Sequence, residues 1–84
     1  MILCVRIKSI MKIPCPSPKD LGQIIRKRRK KLDLTQVEAA GLCGVGITFL
    51  SRVERGQTTA EIGKVLHLMR SLGLDVFVNS EDDQ

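Results

Sequence analysis

The sequence predicts an all-α domain of four to five helices, two of them short and joined by a tight turn, with one short strand near the C-terminus. Three observations lead there. Apolar residues recur at helical spacing through the centre of the chain. Glycines stand where helices should stop, at Gly44, Gly56 and Gly73. One segment, Leu74-Asp75-Val76-Phe77-Val78, has the β-branched and aromatic character of a strand. With 84 residues the chain makes one small domain, which leaves little room for a deep, enclosed active site.

The first segment, residues 1–16, reads as an N-terminal arm, flexible or partly extended. Residues 1–13 are apolar in tone, but Arg6, Lys8 and Lys12 interrupt them, so a signal peptide is not expected. A membrane-crossing helix would need about 20 apolar residues, and no such run is present. Three readings of this arm stay open: a dispensable extension, a strand added to a sheet edge, and a helix lying on a membrane surface. Met11 offers an alternative start that would make residues 1–10 an artefact of start-codon choice. Pro14, Pro16 and Pro18 break regular structure, and the domain boundary is placed there.

Residues 17–73 form the main domain. Ser17-Pro18 suits a helix start, with a hydroxyl at the N-cap and proline in the first turn, and Asp20 adds a negative charge at the positive end of the dipole. Leu21, Ile24, Ile25 and Leu32 supply the inner side. Arg26 to Lys31 are six consecutive cations and so cover every side of the helix. At least one must face the core, where it needs a carboxylate partner.

Thr35-Gln36-Val37-Glu38 is a capping box, with Leu34 before it as a hydrophobic staple. The helix it starts carries Val37, Ala39, Ala40 and Cys43, and stops at Gly44. A second helix follows from Ile47 to Arg55, with Gly46 as its N-cap and Phe49, Leu50 and Val53 inside; Gly56 ends it. The spacing Gln36-x3-Ala40-x3-Gly44-x5-Leu50-x2-Val53 has a mechanical sense. A steep crossing needs a small residue, the turn needs positive φ, and the second helix must be pinned from behind so that its outer side can enter a groove. This is a helix-turn-helix unit.

Leu34-Thr35-Gln36, Gly44-Val45 and Leu50-Ser51-Arg52-Val53-Glu54-Arg55-Gly56 resemble the Xre family of lambda-repressor-like helix-turn-helix regulators, over about Ser17 to Gly73. The opening Ser17-Pro18-x2-Leu21 and the ending Leu72-Gly73-Leu74 with its strand are similar to HipB-type antitoxins. The resemblance implies a lambda-repressor-like bundle that binds its own operator as a homodimer and holds a HipA-like kinase toxin. It also implies that Arg29 and Glu54 form a structural ion pair, which answers the need for one paired cation. Arg28 stands where many relatives carry an apolar residue.

Site residues follow from both lines. Gln36 matches the family residue that bonds a phosphate, and with Thr35 it stands at a helix N-terminus whose free N–H groups suit an anion. Further phosphate candidates are the backbone N–H of Gly46 and the side chains of Arg55, Arg26 and Lys30. Candidates for reading bases are Ile47, Thr48, Ser51 and Arg52. Arg52 suits guanine in the major groove, or a phosphate, and Ile47 suits a thymine methyl or the domain's own interior. Phe49 belongs to the core.

Thr58 or Thr59 is expected to cap a last helix with Ile62, Val65, Leu66, Met69 and Leu72 facing inward. His67 is expected on its surface. Leu74, Asp75, Val76, Phe77 and Val78 then form the dimerisation strand (residues 74–78), because an isolated strand needs a partner. A symmetry mate is one candidate partner and residues 2–13 are the other. Residues 79–84 form an acidic tail.

Charge is unevenly distributed. Residues 1–31 hold ten basic side chains and one acidic, whereas residues 32–84 hold four basic and eight acidic. That asymmetry points to a polyanion, the spacing from Gln36 to Val53 makes it double-stranded DNA read in the major groove, and a dimer would read a palindromic operator. The absence of Trp and Tyr argues against stacking of single strands. Cys4, Cys15 and Cys43 lack metal-site spacing, so no metal or cofactor is expected, and unpaired thiols fit the cytoplasm. No nucleophile–base pair suggests an enzyme. The expected function is an autoregulating repressor and antitoxin. The alternatives are a stand-alone or prophage repressor and a membrane-surface basic protein.

Overall fold

The computed structural model describes residues 2–7, 12–15 and 17–79. Along the chain come β1 (Ile2–Ile7), β2 (Lys12–Pro14), α1 (Pro18–Lys31), α2 (Gln36–Cys43), α3 (Ile47–Glu54), α4 (Ile62–Ser71) and β3 (Leu74–Asn79). The possible start at Met11 and the acidic end at 80–84 lie outside the described residues.

The helix signals act locally. Ser17 is extended and its hydroxyl oxygen accepts from the Asp20 N–H, with Pro18 at the first helical position. Thr35 and Glu38 close the capping box in both directions. Gly44 turns the chain out of α2 at φ 70°, and Gly56 and Gly73 also hold positive φ. At these angles a Cβ would crowd the backbone, so glycine is favoured.

The start of α4 departs from expectation. Its N-cap is Glu61, without a side-chain cap bond, and Thr59 instead accepts from Gln57 Nε2 at 3.2 Å. Its buried side is Val65, Leu68, Met69 and Leu72. Ile62, expected inside, is 66% exposed. The stripe is rotated toward Leu68 because α4 packs on both α2 and β3, not on the helices alone.

The larger correction concerns the strands. The domain carries a three-stranded antiparallel sheet in the order β2-β1-β3, not a single C-terminal strand. Cys4 faces Phe77 and Val5 faces Val76 in one ladder, and Val5 faces Ile13 in the other. Leu74 to Val78 therefore takes its backbone partner from residues 2–7 of the same chain. Pairing satisfies β3's donors on that side and lets Val5, fully buried, join the core with Cys15 and Leu74. Residues 2–7 and 12–15, expected as part of an arm, thus share a sheet and a core with the helical domain.

One core joins both layers. Ile25 of α1, Ala39 and Ala40 of α2, Leu50 and Val53 of α3, and Leu68 of α4 meet the sheet through Leu74 and Val5. Leu32, placed on the inner side of α1 by its spacing, is an exposed C-cap. Among described residues no buried polar side-chain atom lacks a hydrogen-bond partner.

Candidate nucleic-acid interface

The turn between α2 and α3 is fixed by backbone. Gly44 N–H reaches Gly41 O at 3.4 Å and Val45 N–H reaches Ala40 O at 3.0 Å. Ala39 and Ala40 are both buried, which lets α2 approach its neighbours closely. Gly46 is extended and opens α3.

Behind α3, α1 comes closer still. A Cβ at Gly22 would stand 2.7 Å from the Glu54 carbonyl oxygen and nearer to that of Val53. Gly22 is not legible as a site residue in the sequence, because a glycine inside a helix reads only as poor propensity. The C-terminal end of α3 then binds α1 through a buried ion pair. Arg29 Nε donates to Glu54 Oε2 at 2.6 Å and Arg29 Nη2 to Glu54 Oε1 at 2.9 Å. Arg29 Nη1 also donates to the Leu34 carbonyl at 2.9 Å, which ties the α1–α2 connection to the same group. The hydrogen bond to Glu54 pushes the Arg29 guanidinium further up from its already high value, so it stays charged.

Gln36 is the third member of this network. Its Nε2 donates to Glu54 Oε1 at 3.1 Å. The side chain expected to bond a phosphate is therefore half-buried and turned toward α3, leaving its carbonyl oxygen and its second amide hydrogen. The capping box consumes the N–H groups of Thr35 and Glu38, at 2.9 and 3.1 Å. The backbone N–H groups of Gln36 and Val37 are the ones left at this helix end for an anion. Glu38 is held ionised below the usual carboxylate range, first by the Thr35 N–H and then by its hydroxyl, and its charge opposes an anion there. Lys30 lines a cleft of about 250 Å³ beside this helix start, with Arg29, Asp33 and Thr35. Arg26, one turn earlier on α1, is exposed.

On α3 and its C-cap the outward set is Thr48, Ser51, Arg52 and Arg55, spaced three and four apart and so on one face. Ser51 is half-buried and the other three are exposed. Ile47 is 47% exposed at the start of the helix, and Phe49 packs partly against the core. Leu50, Val53 and Glu54 face inward. A rigid helix with short hydroxyls and two guanidinium groups on its free side suits the edges of base pairs and the flanking phosphates.

A neighbouring group escapes a reading of the sequence alone. Thr48 and Arg52 share a cleft of about 330 Å³ with Gln57, Thr59 and Lys64. Lys64 Nζ lies 5.9 Å from the Phe49 ring centroid. The polar run Gln57-Thr58-Thr59 directly after Gly56 is the signal that could have found it. Two further ties hold the frame: His67 Nε2 donates to the Cys43 carbonyl at 2.8 Å, and Arg28 Nε to the Leu72 carbonyl at 2.8 Å. Each cationic or ring donor closes a helix C-terminus, that of α2 and of α4.

Two short helices over a glycine turn, the second pinned from behind with a polar free face, define a helix-turn-helix protein, and the chain belongs to the helix-turn-helix domain family, which matches residues 20–76. It is 43% identical over 60 residues, 71% of this chain and 79% of the relative, to the uncharacterized HTH-type transcriptional regulator y4mF of Sinorhizobium fredii (strain NBRC 101917 / NGR234). The matched region takes in α1 from Asp20 and the first half of β3, but neither β1 nor β2.

Proposed function

We propose that the chain is a transcriptional repressor that binds duplex DNA, with α3 in the major groove and α2 across the backbone. The observation that supports this best is the single free face of Thr48, Ser51, Arg52 and Arg55 on a helix fixed by Leu50, Val53 and the Arg29–Glu54 pair. The name of the relative in Sinorhizobium fredii supports regulation of transcription. Arg52 reads guanine, Thr48 and Ser51 contact base edges, and Ile47 meets a thymine methyl. Arg55, Arg26, Lys30 and the N–H groups of Gln36 and Gly46 bind phosphates.

In this proposal the repressor acts as a homodimer on a palindrome with half-sites about 34 Å apart. β1 occupies one side of β3, and among described residues the other side carries no strand. A two-fold mate pairing at that side would make a continuous six-stranded sheet. The HipB-type resemblance adds an antitoxin role with a HipA-like kinase as partner.

Arg52→Ala tests the central claim by titration against cognate and scrambled duplex. Specific affinity should fall by about 1–3 kcal/mol with nonspecific affinity nearly unchanged. Equal losses on both would reduce Arg52 to a phosphate contact. Co-purification of the adjacent gene product tests the antitoxin role, and a repressor that purifies alone and still footprints its promoter would be the stand-alone type.

A further inference from the structure

The six cations of α1 do not share one face. Successive helical residues advance by about 100°. Gly22, Ile25 and Arg29 therefore lie on the side that meets α3, and Lys27 and Lys31 lie roughly opposite. On that opposite side α1 and the sheet enclose a groove of about 370 Å³, within the size range of specific binding sites. Its floor is apolar, from Ile13, Ile24 and Leu74, and its rim is Lys27, Arg28 and Lys31. Asp20 is the acid beside them, and its carboxylate already accepts the Ser17 hydroxyl. Arg28 is held in place by its bond to the Leu72 carbonyl, so its remaining donors are preorganised.

We propose that this groove docks an acidic segment of a partner protein that carries aliphatic side chains. Three cations over an apolar floor select carboxylates and aliphatic groups together, which neither duplex DNA nor a purely polar acidic tail supplies. The groove includes no residue of α2 or α3, so a protein partner and an operator can occupy the molecule at once. The claim does not depend on the partner being a kinase toxin.

The test uses the full chain and a short fluorescein-labelled peptide alternating aspartate with leucine, followed by fluorescence anisotropy. Saturable binding is expected, and it should weaken about tenfold in the double variant Lys27→Glu/Lys31→Glu. Those side chains are exposed, so the fold should survive, which circular dichroism would check. The variant Arg26→Glu/Lys30→Glu makes the same charge change off the groove and should keep peptide affinity while losing duplex affinity. The proposal is overturned if both double variants lose the peptide equally, or if a peptide with serine in place of leucine binds as well. It is also overturned if saturating duplex displaces the peptide, or if no saturation is reached.

Discussion

Position 22 shows how little a residue's own neighbourhood reveals about its role. Gly22 and Gly41 both sit inside helices, yet an added Cβ would meet two carbonyls of α3 at the first and nothing within 4 Å at the second. Gly22→Ala should cost about 3 kcal/mol, since the obstruction is backbone that cannot step aside. Gly41→Ala should stabilise by about 0.5–1 kcal/mol through helix propensity. Urea midpoints at constant slope would measure both, and a harmless Gly22→Ala would mean that α1 and α3 are spaced more widely than described. Glu54 has a similar dependence on distant partners. Glu54→Ala strands the Arg29 guanidinium, 7% exposed, and should cost about 3–5 kcal/mol. Replacing both by apolar residues of similar size should recover much of that loss.

Helix ends are legible where the chemistry is local. Ser17-Pro18, the Thr35–Glu38 box and Gly44 each act within a few residues, and each stands where the sequence puts it. Thr35→Ala should lower stability by about 1 kcal/mol in thermal unfolding, by freeing the Glu38 N–H. The Glu38 half of the box carries a pH signature. Its folded pKa is depressed, so its contribution is present above the ordinary carboxylate value and fades as pH falls through the folded one. Glu38→Gln should therefore differ from the parent at neutral pH and converge with it in acid. The sheet is less legible. β1 meets β3 across nearly the whole chain, and nothing in the interrupted apolar pattern of residues 1–13 selects that partner over a symmetry mate. The start of α4 is hidden too: two threonines offer caps, yet Glu61 stands at the N-cap without a side-chain bond, while Thr59 bonds Gln57. Gln36 reads as a phosphate ligand, and only the fold reveals that Glu54 claims its amide first.

For the molecule as a whole, net charge overstates what DNA can feel. Arg29 is consumed by Glu54, Arg28 is tied to Leu72, and Lys27 and Lys31 face the groove beside the sheet. Of this run, Arg26 and Lys30 are left for phosphates in the proposed complex. Arg26→Gln/Lys30→Gln should flatten the slope of log K against log salt by about two units, one for each phosphate no longer neutralised. Lys27→Gln/Lys31→Gln should leave it nearly unchanged, and equal slopes for the two variants would mean that the run acts as one diffuse patch.

The central place of β1 also has a consequence in time. Of these three strands β1 is made first and is paired on one side by β2 within a few residues, but its other side must wait for β3. The helices between them depend on short-range contacts and can assemble early, whereas closing the sheet requires a loop spanning almost the entire chain. Until residue 79 has emerged, the inner strand of the finished sheet is an open edge. A chain stopped short of β3 would present that edge to any other strand, so β1 stays uncovered until β3 has been made.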